Sequence, residues 1–73
     1  MCLDDCIVGD KVKISAMHLE GEIFQKLLDM GFVPGVTLEI RKRSVLNDPM
    51  QIKIHNYLVA IRSNEAKAIE VHR

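Results

Sequence analysis

The chain has 73 residues, 48% of them apolar, and Lys+Arg and Asp+Glu both number 10. That length allows one domain, marginal in size but apolar enough to build a core without staples. Formal charge of zero argues against a dedicated non-specific nucleic-acid binder, whose affinity rests on phosphate contacts.

The longest apolar run, Tyr57-Leu58-Val59-Ala60-Ile61, falls far short of the about 20 residues a membrane-spanning helix needs. Met1-Cys2-Leu3-Asp4-Asp5 offers neither the basic nor the long apolar region of a secretory signal. Cys2 and Cys6 are too few and too close for a disulfide framework. The cytoplasm is the natural location on these grounds.

Leu3 to Val8 is a short lead-in, and Gly9-Asp10 signals a turn. Lys11 to Ser15 alternates with Val12 and Ile14 on one face, as a half-buried strand does. Met17 to Gly21 reads as a connection. Glu22 to Met30 reads as a helix, with Glu20 and Glu22 suited to the positive end of its dipole. Its apolar residues Ile23, Phe24, Leu27, Leu28 and Met30 cover an arc of roughly 160°. Gly31 stands where a left-handed cap is expected, and Pro34-Gly35 fits the middle of a type II turn.

Val36 to Arg41 alternates next, with Val36, Leu38 and Ile40 facing in. Asn47-Asp48-Pro49 is a turn, with Asp48 and Pro49 as its structural residues. Met50 to His55 alternates again, and His55-Asn56 makes a tight hairpin in which Asn56 is suited to positive φ. The apolar run from Tyr57 to Arg62 predicts a strand buried on both faces or placed centrally. Ser63 is positioned to cap a short helical turn over Asn64 to Ala68, and Ile69-Glu70-Val71 closes the chain as a strand. The expected fold is mainly β: a small SH3-like barrel of about five strands, a helix inserted at about 22–30, and a short C-terminal helical turn. One domain spans 1–73.

The order of these features is similar to the FeoA family, small cytoplasmic proteins of bacterial ferrous-iron uptake. The likeness starts at Leu3, Cys6 and Gly9, where the family has Leu-x-x-Leu-x-x-Gly. It runs through Gln25 to Gly35, then Asp48-Pro49, Tyr57 to Arg62, Glu65-Ala66, Ile69 and Val71. Leu-Leu-x-x-Gly-x-x-Pro-Gly with a later Asp-Pro carries most of the specificity. Three positions depart from the pattern. Cys6 replaces a usual leucine, Asn47 replaces the first residue of Gly-Asp-Pro, and Asn56 occupies a hairpin position that is often glycine. Asparagine tolerates left-handed backbone, and a buried cysteine behaves as a small hydrophobe.

The resemblance implies an SH3-like fold and a role beside FeoB, the membrane-embedded GTPase that moves ferrous iron. It also implies a place in the cytoplasm, held at the inner membrane only through that partner. The barrel resembles the C-terminal domain of iron-dependent repressors too, but this chain has no helix-turn-helix beside it.

Two readings of the helix stand side by side. Either all five apolar residues are core, or Phe24 and Leu28 at the edge of the arc stay partly exposed and dock a partner. The expected docking set is Phe24, Leu28, Met30, Phe32 and Val33, with Gly31, Pro34 and Gly35 shaping the turn between them. Arg41, Lys42 and Arg43 form a basic run with Lys53 and Arg62 nearby. A solvated sheet face accounts for it, and an acidic partner, anionic lipid or RNA are the alternatives. No aromatic stacking residue is interleaved, which disfavours RNA.

Cys2, Cys6, His18, His55 and His72 are the soft candidate ligands, but their spacing lacks the paired clusters of a structural metal site. Weak Fe²⁺ or Zn²⁺ binding is therefore the most that metal chemistry is expected to amount to, and no cofactor is expected. No nucleophile–base pair and no phosphate-cradling glycine loop is present, so an enzyme is not expected. The sequence thus points to an adaptor that binds and regulates a FeoB-like transporter without entering the membrane. A weak metal-binding or sensing module, and a homo-oligomer built through the helix edge, are the alternatives.

Overall fold

A computed structural model describes residues 1–43 and 49–73. Asn47 and Asp48 of the expected Asn-Asp-Pro turn lie outside the described residues, and Pro49 is half-buried at its end. A single 3-10 turn, Leu3–Asp5, leads into β1 (Lys11–Met17) and α1 (Gly21–Asp29). Then follow β2 (Thr37–Lys42), β3 (Met50–Ile54), β4 (Tyr57–Ile61), the one-turn α2 (Ser63–Ala66) and β5 (Ile69–His72).

The strands form one antiparallel sheet in the order β4-β3-β2-β1-β5. Register follows the alternation of apolar residues, since a slip of one residue would turn each buried set outward. Leu38 pairs with both Val12 and Ile54, and Ile52 pairs with both Ile40 and Val59. All of these side chains are buried. Val59 and Ile61 of β4 share a single core with Ile69 and Val71 of β5, although those strands are the two ends of the sheet. The sheet is therefore rolled around that core. Two register shifts help it curve, one between Ile14 and Ala16 against β5 and one between Ile40 and Lys42 against β3. Bulges of this kind bend a strand and increase its twist.

α1 ends on a Schellman motif. Gly31 takes φ +93° and its N–H donates to the Leu28 carbonyl at 2.9 Å, while the Phe32 N–H donates to the Leu27 carbonyl at 2.9 Å. This motif brings an apolar side chain after the cap against one in the last turn. Leu27 and Phe32, the two residues so linked, are both fully buried. The turn from Val33 to Val36 follows, with Gly35 at φ +93° and the Val36 N–H donating to the Val33 carbonyl at 3.2 Å. Gly35 N–H and Val36 carbonyl then bond to Ile14 of β1.

Four local expectations change. β4 is an end strand rather than a central one, and Tyr57, Leu58 and Ala60 are exposed. A continuous apolar run hides its own alternation, so the exposed outward positions were not visible in the pattern. His55, not Asn56, takes positive φ (55°) in the β3–β4 hairpin. β1 extends through Met17, so part of the expected connection is strand. Ser63 does not cap α2. Arg62 is the N-cap residue, and the Glu65 carboxylate accepts its N–H at 3.1 Å. The Ser63 hydroxyl donates instead to the Asp4 carboxylate at 3.1 Å.

Candidate functional site

The helix fixes the candidate surface. At about 100° per residue, Leu27 sits at the centre of the apolar arc, with Ile23 and Met30 on one flank and Phe24 and Leu28 on the other. Leu27 is buried, and Ile23 and Met30 pack against the core. Phe24 and Leu28 are half-buried and are not among the side chains packed against it. The polar border beside them is ordered by the Gln25 amide, which donates to the Asp29 carboxylate at 2.9 Å. An apolar strip bordered by the Gln25 amide, with Asp29 beyond it, is the result.

The other members of the expected docking set divide. Val33 is 40% exposed at the head of the Pro-Gly turn. Met30 is half-buried, and its carbonyl accepts a hydrogen bond from the Tyr57 hydroxyl. Phe32 is fully buried and offers a partner nothing, a correction that follows from its place in the Schellman motif. Gly31 lies so close to His55 that a Cβ there would come within 2.6 Å of its Nε2. The helix end is thus held from two sides by the β3–β4 hairpin, through His55 and Tyr57. Sequence reading gave no role to Tyr57. A tyrosine opening a strand just after a tight hairpin was the one available signal.

One member of the basic run, Arg43, is engaged by the chain itself. Arg43 donates to the Asp4 carbonyl (2.6 Å), the Cys6 carbonyl (2.9 Å) and the Asp4 carboxylate (3.0 Å). It fastens the N-terminal turn to the end of β2. Asp5 and Asp10 serve the same segment. The Asp5 carboxylate accepts the Cys2 N–H at 3.1 Å, and Asp10 accepts the Ile7 N–H at 2.9 Å and Arg73 at 3.2 Å. Backbone hydrogen bonds hold both carboxyl groups below the ordinary carboxylate range, and at Asp10 the Arg73 guanidinium adds to this.

The soft ligand candidates are scattered. Cys6 is buried and burial pushes its thiol up, away from the reactive thiolate. Cys2 is pinned: it bridges to Glu70, and its thiol donates to Asp5 at 3.4 Å. His18 Nε2 lies 3.1 Å from Glu70, and His72 Nδ1 lies 2.5 Å from the Ser15 hydroxyl. Both rings are on the surface, and His55 is exposed against Gly31. Among the described residues, no three His, Cys, Asp or Glu side chains gather as a metal ion requires. A surface depression of about 200 Å³ is lined by Lys11, Thr37, Glu39, Lys53 and His55, and another by Arg62, Ser63, Asn64 and Lys67. Neither holds a nucleophile paired with a base. Among the described residues no helix is long and apolar enough to cross a membrane.

A rolled five-strand sheet with the helix α1 packed on it, whose edge residues Phe24 and Leu28 are half-buried, is the architecture of this domain. The FeoA domain family model matches residues 1–73, and the chain belongs to the FeoA family. It is 34% identical over 97% of its length to an Fe(2+) transport protein A/Fe(2+) transporter FeoB fusion protein of Porphyromonas gingivalis, and spans 8% of that protein. The solution structure of FeoA protein from Chlorobium tepidum is 30% identical, with a TM-score of 0.90 over 99% of this chain and 69% of that one. A crystal structure of Stenotrophomonas maltophilia FeoA complexed with zinc, described as a procaryotic SH3 domain protein, is 24% identical. Its TM-score is 0.83 over 99% of this chain and 89% of that one. The fold is therefore SH3-like, and the family is linked to ferrous iron transport as a small accessory protein rather than an enzyme.

Proposed function

We propose that this chain is a cytoplasmic adaptor of ferrous iron uptake, which binds the cytoplasmic part of a FeoB-like GTPase transporter and biases its assembly or GTPase cycle. The observation that carries this reading is the helix edge. Phe24 and Leu28 are large apolar side chains held on a rigid element, outside the core, with Val33 exposed beyond the helix end. Apolar strips with a polar border are typical docking surfaces.

The choice of partner is supported by the fusion relative, in which a matching segment shares a chain with the transporter. Tethering keeps even a modest interface occupied by raising the local concentration. An adaptor alters the transporter's cycle only if it binds one state better than another.

The test is an NMR titration of the labelled chain with the soluble domain of the transporter from the same cell. Shifts at Phe24, Leu28 and Val33, weakened by Phe24→Ala or Leu28→Ala with stability retained, are the expected result. Silence at high partner concentration removes the soluble domain as the target.

A further inference from the structure

The two ends of the sheet are finished differently. β5 is sealed by the N-terminus, where Cys2 bridges Glu70 and the Val71 N–H donates to the Met1 carbonyl at 2.8 Å. Among the described residues, β4 has β3 on one side and no strand on the other. Among the described residues, no backbone hydrogen bond reaches Tyr57–Ile61 from outside its pairing with β3. Open edges are normally blunted by charge, by proline or by a covering segment. Tyr57-Leu58-Val59-Ala60-Ile61 contains neither charge nor proline. Leu58 is 58% exposed on its outward side, and Ala60 beside it is also exposed.

We infer that this edge pairs with β4 of a second copy of the chain, antiparallel about a two-fold axis through Val59. Such an axis sets residue i against j and j against i. Centred on Val59, it places Tyr57 opposite Ile61 and Leu58 opposite Ala60. Each exposed Leu58 then meets a small apolar neighbour, and the large side chain is matched with a small one on both sides of the axis. The flanking positions pair Asn56 with Arg62, so no like charges face each other. This self-complementarity is what selects a second copy as the occupant, since like charges directly opposite destabilise a strand pair.

Pairing over one short strand is smaller than the interface of a stable dimer, which buries about 1,200–2,000 Å². The dimer is therefore weak and concentration-dependent. The pairing uses the backbone and side chains of Tyr57 to Ile61, none of which belongs to the helix edge, and so does not depend on the adaptor reading.

The test is a dilution series followed by sedimentation velocity and by amide shifts, on the full chain and two variants. Leu58→Glu blocks the edge with charge while facing Lys53 across the strand pair, so the monomer keeps its fold. Phe24→Ser alters the helix edge alone. The expected result is a concentration-dependent dimer with shifts centred on Tyr57 to Ile61, lost in Leu58→Glu and kept in Phe24→Ser. A chain that stays monomeric at the highest NMR concentrations overturns the inference. So does self-association that survives Leu58→Glu, or shifts that cluster on α1.

Discussion

The Tyr57 hydroxyl donates to the carbonyl of Met30, the residue that closes α1. The last carbonyls of a helix have no partner within it, so this bond satisfies one of them and ties the helix end to the start of β4. Tyr57→Phe removes only that bond and is expected to cost about 1 kcal/mol. For a domain of this size that is roughly 4–8 °C in Tm. Thermal unfolding of the two proteins measures it, and an unchanged Tm would mean that the bond is not formed in solution.

Gly31→Ala acts at the same joint by another route. It forces a side chain into positive φ, at about 1 kcal/mol, and brings a Cβ against the His55 ring. The His55→Ala background removes the clash and leaves the backbone strain. In a double-mutant cycle, Gly31→Ala is expected to be less destabilising in His55→Ala than in the parent, and simple additivity would show that the ring is not in contact.

Phe24, Leu28 and Phe32 are expected to separate into two kinds. Phe32→Ala empties a fully buried site and should cost about 3–5 kcal/mol, enough to unfold much of a small domain. Phe24→Ala and Leu28→Ala, whose side chains lie outside the core packing, should cost far less. Urea titrations of the three variants compare them directly, and equal losses would place the helix edge in the core.

Stability should fall in acid through Asp5 and Asp10. Both carboxyl groups are held below their ordinary range when folded, chiefly by backbone N–H groups. A lowered folded value means the unfolded chain binds the proton more readily. Their contribution is therefore present above about pH 3.9 and is lost as the pH falls through the folded values below it. Asp10→Asn should flatten the acid limb of a Tm-against-pH profile, and an unchanged limb would count against the Ile7 and Arg73 bonds.

Arg43→Lys is expected to behave as a loss, not a conservative change. The guanidinium reaches two carbonyls and a carboxylate in three directions, and an ammonium does not reproduce that fork. A destabilisation of about 1–2 kcal/mol is expected, read from chemical denaturation, with faster amide exchange at Cys6 as its local signature.

The elements and the joints were written in the order of residues along the chain. Val12 and Ile14, Leu38 and Ile40, and Ile52 and Ile54 alternate because one face of each strand is buried, and period two is visible without neighbours. Gly31 and the Pro34-Gly35 pair were legible because only a few residue types suit their backbone. The helix edge of Phe24 and Leu28 was legible as an ambiguity, since an arc wider than the core contact leaves its flanks open to either reading.

Tertiary structure decided where those elements end up. Phe32 disappears into the core because the Schellman motif folds it back over Leu27. Arg43 becomes a fastener because Asp4, distant in sequence, lies against the end of β2. β4 lies at one end of the sheet while the N-terminus covers the other, and Leu58 is exposed because it faces outward beside Lys53. Each outcome depends on which long-range pairs form, and periodicity along a chain carries no record of its neighbours across space.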